Sequence, residues 1–218
     1  MKINIDAAVL KHQQGEVDVA EQMYRQLLAK DPNNVMIYRN LGILLYQKGD
    51  VDGSLNIFRN AIDQKFGIED FFEVYVEILA KSHRFTEAVK LYGLLLGLKD
   101  RNEFIKKTAA IIKSEVVSIF NAGEYSKTIA SIDICKSVFE FDNEVTNIAG
   151  VCGLHLKKYD FALASFSQAI EGDPHNDTLY VNKSLVLENL GRTEEAISSL
   201  LNSLKINPHS NNALLNLS

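Results

Sequence analysis

The sequence of 218 residues predicts an all-α array of antiparallel helix pairs, because three kinds of signal recur together every 34 residues. The first is a closing turn. Asp173-Pro174-His175-Asn176 and Asn207-Pro208-His209-Ser210 stand one period apart, and Asp31-Pro32-Asn33-Asn34 carries the same signal near the start. The second is a mid-repeat turn: Gly15 and Gly49 are one period apart, His83 takes the next register, and Gly123, Lys157 and Gly191 continue it after six inserted residues. The third is an alternation of size. Five residues after each turn position stand Ala20, Ser54, Ala88, Thr128, Ala162 and Ala196, all small; four further on stand Tyr24, Phe58, Tyr92, Ile132, Phe166 and Leu200, all large.

Each repeat therefore reads as helix, turn, helix. Apolar residues at helical spacing, such as Leu41, Leu44 and Leu45 or Leu185, Leu187 and Leu190, give the first helix a face to bury. Glycine at the mid-repeat turn supplies the left-handed backbone that ends it. The small residue of the second helix lets the two axes approach, and the large one fills the space beyond. The closing proline stops the second helix, and Asn33-Asn34 and His175-Asn176-Asp177 offer N-capping side chains to the next. In order the repeats are 1–34, 35–68, 69–102, 109–142, 143–176 and 177–210, with an insert at 103–108 and a partial seventh at 211–218, one array over 1–218. Asp100-Arg101-Asn102-Glu103 has the spacing of a capping box, so the insert is expected to lengthen the first helix of the fourth repeat to about residue 121.

Composition narrows the function classes. Apolar residues make up 46% of the chain, enough for a continuous core, and the net charge is −5. Basic residues are scattered singles and doublets such as Lys106-Lys107 and Lys157-Lys158, so the phosphate-neutralising stripe of a nucleic-acid binder is missing. No uncharged stretch approaches the length of a membrane span, and the N-terminus reaches Asp6 before any apolar run of signal-peptide length. Cys135 and Cys152 lack C-x-x-C spacing and fit a reducing compartment. A cytoplasmic protein without membrane insertion is expected.

Asn40-Leu41-Gly42, Gly49, Phe58 and Ala61 together resemble the tetratricopeptide repeat, and the resemblance covers essentially the whole chain. It departs at Val76 and Val116, where the family has glycine, and at Asp100 and Glu140, where it has proline. The resemblance implies a right-handed superhelical solenoid of about six helix pairs plus a C-terminal partial helix. It also implies a concave groove built from first helices, in which protein or peptide ligands lie.

The candidate groove residues are Asn40, Ile43, Val117, Asn147, Val151, Asn182 and Leu185. The ninth residue of each repeat gives Val9, Ile43, Glu77, Val117, Val151 and Leu185, an apolar stripe that either contacts a ligand or is buried between neighbouring first helices. The sixth gives Asp6, Asn40, Val74, Ser114, Ile148, Asn182 and Asn216. Asn40, Asn182 and Asn216 match in part the asparagine ladder by which similar repeats of a protein glycosyltransferase hold a peptide main chain, since an amide both donates and accepts. A clamp for a C-terminal carboxylate, as in chaperone-binding relatives, is not supplied: at the fifth and ninth positions of repeats one to three only Arg39 is cationic. Glu69, Asp70, Glu73 and Glu77 form an acidic face, either solvated or open to a basic partner.

No catalytic motif is present, whether a phosphate loop, His-Glu-x-x-His or Gly-x-Ser-x-Gly, and His12, His83, His155, His175 and His209 are dispersed. Cys152 and His155 lie one helical turn apart but lack an orienting third group, and Cys135 reads as packing. The expectation is a non-catalytic scaffold or adaptor binding a protein or peptide, with no cofactor, no metal and no nucleic acid. Two other readings stand beside it. Apolar Leu214, Leu215 and Leu217 allow a homo-oligomer stacked end to end. The third reading, ranked behind self-assembly, is the substrate-recruiting N-terminal region of a larger glycosyltransferase or sulfotransferase whose catalytic domain is absent. The final segment, His209 to Ser218, either folds back as a cap or belongs to a longer array.

Overall fold

A computed structural model describes residues 4–64, 71–96, 102–136 and 142–217, and every regular element in them is a helix. The elements are α1 (Ile5–Gln13), α2 (Val17–Lys30), α3 (Val35–Gln47), α4 (Val51–Asp63), α5 (Phe72–Lys81), α6 (Phe85–Leu96) and α7 (Asn102–Asn121). They continue with α8 (Tyr125–Cys135), α9 (Asn143–His155), α10 (Tyr159–Gly172), α11 (Asp177–Asn189), α12 (Thr193–Ile206) and α13 (Asn211–Leu217). Two compact units divide the chain, Met1–Ile112 and Lys113–Ser218. Each is an array of helix pairs.

The mid-repeat turns adopt the backbone that the register requires. Gly15, Gly49, Gly123 and Gly191 have φ of +77°, +85°, +76° and +73°, and the same left-handed conformation is imposed on His83 and Lys157, both at +58°. Pro32, Pro174 and Pro208 each follow the end of a second helix, where a residue without an N–H cannot extend the ladder. Asn34 caps α3 as expected, its side chain accepting from the Met36 amide at 3.2 Å. Asn176 does not: it holds the N-cap position of α11, but its side chain makes no capping bond. The long helix expected around the insert is α7, of 20 residues, although Asp100 and Arg101 of the proposed capping box lie outside the described residues.

The alternation of small and large side chains is the core of both units. Ala20, Ser54, Ala88, Thr128, Ala162 and Ala196 are at most 1% exposed, and the large residues four positions on are buried with them. Burial of each large side chain contributes about 1.5–3 kcal/mol. In the first unit, a Cβ added at Gly42 would stand 2.5 Å from the Phe58 ring, and Ser54 Oγ donates to the Gly42 carbonyl at 2.7 Å. In the second unit Gly150 stands in the same relation to Phe166. The bulkier Val116 takes that register in the fourth repeat, where the later core residue, Ile132, is smaller than phenylalanine.

Ion pairs tie successive helix pairs together within each unit. Lys48, at the end of α3, reaches back to Asp18 at 2.8 Å and Glu21 at 2.6 Å on α2. At the next junction Arg84 reaches Asp52 of α4, one period after Asp18, at 2.5 Å, while Arg59 of α4 meets Glu87 of α6 at 2.6 Å. In the second unit Lys113 binds Asp142 at 2.5 Å and Glu144 at 2.6 Å. These contacts are partly exposed, so each adds little by itself.

Candidate functional site

First helices carry all seven candidate groove residues, and all seven are half-buried. In the first unit α3 presents Asn40 and Ile43 three residues apart, hence on one face. In the second unit α7 presents Val117, α9 presents Asn147 and Val151, and α11 presents Asn182 and Leu185. Three of these helices therefore offer the same pairing of one amide with one branched aliphatic side chain.

Neighbouring amides in the second unit are joined directly. Asn182 Nδ2 donates to Asn147 Oδ1 at 3.1 Å. The sequence register aligned Asn182 with Ile148, which the structure buries at 6% exposure. Its actual partner lies one residue earlier on the preceding first helix, 35 residues away rather than 34. The bond uses one N–H and one oxygen, so the Asn147 amino group and the Asn182 oxygen remain available for a peptide main chain. Val151 packs against the cluster of Ala162, Phe166 and Val186 and keeps part of its surface in solvent. At the sixth position Val74 is half-buried and Ser114 exposed, so no continuous row of amides runs along either unit.

The other polar groups noted in the sequence are spoken for. Glu73 is held by Lys107 at 3.0 Å and Glu77 by Lys81 at 2.6 Å, which neutralises the described part of the acidic face; Glu69 and Asp70 lie outside the described residues. The His155 ring stacks on Tyr125 with centroids 4.2 Å apart and planes 8° from parallel. Cys152 is fully buried, and burial pushes its thiol up to about 11, away from the thiolate that a nucleophile needs. The buried Cys135 thiol is pushed up to about 12 for the same reason. Among the described residues no group of three His, Cys, Asp or Glu stands where it could hold a metal ion, and no helix is long and apolar enough to cross a membrane.

At the C-terminal end of the second unit α13 lays Ala213, fully buried, against Val181 and Leu200, with Leu204 packed beside them. Leu214, Leu215 and Leu217 are left 49%, 69% and 36% exposed. The segment thus folds back on α12 through one small residue while its leucines face solvent.

Comparison with known proteins agrees with this architecture. Two family models, both described as Tetratricopeptide repeat, match residues 5–65 and 177–210. The TPR repeat-containing protein MJ1428 of Methanocaldococcus jannaschii is 23% identical over 206 residues, covering 87% of this chain. The chain spans 35% of the length of that relative. Among solved structures, YrrB, described as a TPR protein with an unusual peptide-binding site, is 17% identical, with 98% of this chain and 89% of that chain covered at a TM-score of 0.37. The TPR2AB domain of yeast Sti1, solved in its pHSP90 complex, is 15% identical, with 96% and 92% covered at a TM-score of 0.41. The family models at both ends of the chain, the relative that aligns across most of it and the helix pairs of both units converge: the chain is a tetratricopeptide-repeat protein.

Proposed function

We propose that the chain is a non-catalytic recognition module that holds a segment of a partner protein against its first-helix faces. The observation that carries this reading is the joined amide pair, Asn147 and Asn182, flanked by half-buried Val117, Val151 and Leu185 in the second unit. An extended segment laid there would exchange main-chain hydrogen bonds with the amides while its side chains covered the aliphatic groups. In the first unit Asn40 and Ile43 offer the same chemistry on α3. The six helix pairs act in this reading as one array over 1–218. A reducing, cytoplasmic setting suits the two free buried thiols.

The test is a capture experiment with the immobilised chain and lysate of its own source, set beside an Asn40→Ala, Val151→Glu, Asn182→Ala variant. A partner retained by the parent chain and lost by the variant supports the reading. Identical partner lists for the two proteins refute it.

A second reading is favoured by a specific observation, the exposed Leu214, Leu215 and Leu217 of α13. Such a surface suits self-association, which sedimentation over a hundredfold concentration range would detect as a rising mass. Recovery of the chain alone in the capture experiment would favour this reading. The role of a substrate-recruiting region in a larger transferase predicts instead that an enzyme's substrates are captured.

A further inference from the structure

Away from the groove residues, α11 and α12 form an open cleft of about 170 Å³ lined by Tyr180, Lys183, Leu187, Glu195, Ser198, Ser199 and Asn202. Its origin is visible in the repeat register. The equivalent positions of the second repeat are filled by Tyr38, Leu41, Leu45 and Ile57, all buried. In the sixth repeat Lys183 replaces the leucine and Ser199 the isoleucine, so the seam between the two helices is not filled. The substitution pattern is not a local accident. A second cleft on α9 and α10 is lined by Thr146, Ala149, Ser165 and Gln168, each one period before a residue that lines the first.

The chemistry of the larger cleft is one-sided. Lys183 Nζ makes no hydrogen bond or close ion pair among the described residues, although its charge, after that of Arg192, helps hold the Glu195 carboxyl low, and the Ser198 hydroxyl is exposed and unengaged. Asn202 accepts from Lys205 Nζ at 3.2 Å through its oxygen, which leaves its amino group to donate. Ser199 already donates to the Tyr180 carbonyl at 2.9 Å, and Tyr180 donates to the Pro174 carbonyl at 3.2 Å. The one acid of the lining, Glu195, has both oxygens held by Arg192 at 2.7 Å each. Arg192 and Lys183 therefore outnumber the single carboxylate by one positive charge, and Ser198 and Asn202 add donors beside it. The space is also smaller than the ~300–1,000 Å³ of a small-molecule pocket, which suits a single side chain.

We infer that this cleft receives the carboxylate side chain of an acidic segment in a partner protein, with Lys183 as the counter-charge and Ser198 and Asn202 as hydrogen-bond donors. The site lies on a different face of α11 from Asn182 and Leu185, since Tyr180, Lys183 and Leu187 follow the helical spacing that faces α12. It does not depend on the groove reading.

The experiment uses the full chain and fluorescein-labelled hexaglutamate as the probe, read by anisotropy and by amide shifts of the isotope-labelled protein. The expected result is perturbation of residues 180–202, with Lys183→Gln weakening binding about tenfold. Lys90→Gln, which removes the same charge from an exposed site in the first unit, should leave binding within twofold. Lys183→Leu restores the residue type of Leu41, so it should abolish binding while the unfolding midpoint stays level or rises, which separates loss of the site from loss of the fold. Equal weakening by Lys90→Gln and Lys183→Gln would reduce the effect to diffuse attraction and overturn the site. Absence of shifts on α11 and α12 would overturn it as well.

Discussion

Gly150 lies against the Phe166 ring so closely that a Cβ at residue 150 would stand 2.6 Å from Cε1. The two residues are sixteen apart in sequence and belong to α9 and α10, so this one contact sets how near the paired axes come. Phe166 is fully buried and packs with Ala162 and Val186, so moving its ring aside disturbs the core. Gly150→Ala should therefore cost about 1–3 kcal/mol in chemical denaturation, as should Ala162→Leu, which overpacks the same seam. A neutral outcome at both would show that the register of the second unit is misread.

Backbone strain at the mid-repeat turns gives a prediction of opposite sign. Lys157 and His83 occupy the left-handed conformation that glycine holds at the four equivalent turns. Relief of the side-chain clash exceeds the entropy cost of glycine, so Lys157→Gly and His83→Gly should each raise stability by about 0.5–1 kcal/mol. Gly191→Ala, at φ of +73°, should lower it by a similar amount. Equilibrium urea curves of the three variants check both signs.

Acid and salt should weaken the junction between α2 and α3. The Lys48 hydrogen bond holds the Asp18 carboxyl below its usual range and does the same to Glu21. A carboxyl whose folded pKa is depressed contributes stability above its unfolded pKa and loses it as the pH falls through the folded value. Lys48 itself is pushed up to about 12 by the same bonds, so its contribution is complete below the unfolded value of 10.5 and is lost only as the pH rises through about 12. Thermal melts of the parent chain and Lys48→Gln should differ most in the neutral window and converge below the carboxylate range. The difference should also shrink in 0.5 M salt.

Both thiols should be silent in the folded state. Cys135 and Cys152 are fully buried, with thiols pushed up to about 12 and about 11. A thiol reagent at pH 8 should modify neither residue in the native protein and both after denaturation. Stoichiometric labelling before unfolding would contradict the core placement of α8 and α9.

The groove chemistry is tested most directly at the amide pair. Asn147→Ala and Asn182→Ala, applied singly and together to any captured partner, should show non-additive losses. In the proposed reading each substitution removes both a ligand contact and the bond that orients the other amide. Strict additivity would mean that the two asparagines act independently.

The sequence by itself determined the helix pairs, the turn positions and the core of this protein. Those features depend on local backbone chemistry and on a size pattern that recurs along the chain: glycine or its register mate at each turn, a small residue before a large one as in Ala162 and Phe166, and proline after the second helix in three of the six repeats. Where a signal was local but its outcome depended on neighbours, the sequence was less decisive. Asn176 stands at an N-cap without making the bond, while Asn34 in an equivalent turn makes it. Only the tertiary structure decided the pairings between repeats. It joined Asn182 to Asn147 rather than aligning it with Ile148, drew Lys107 onto Glu73, stacked His155 on Tyr125 and left the seam beside Lys183 unfilled. The physical reason is that a fixed period assigns each residue a position within its own helix pair. The side chains facing it across a junction depend on how adjacent helices are offset, and a shift of a single residue is enough to change the partner.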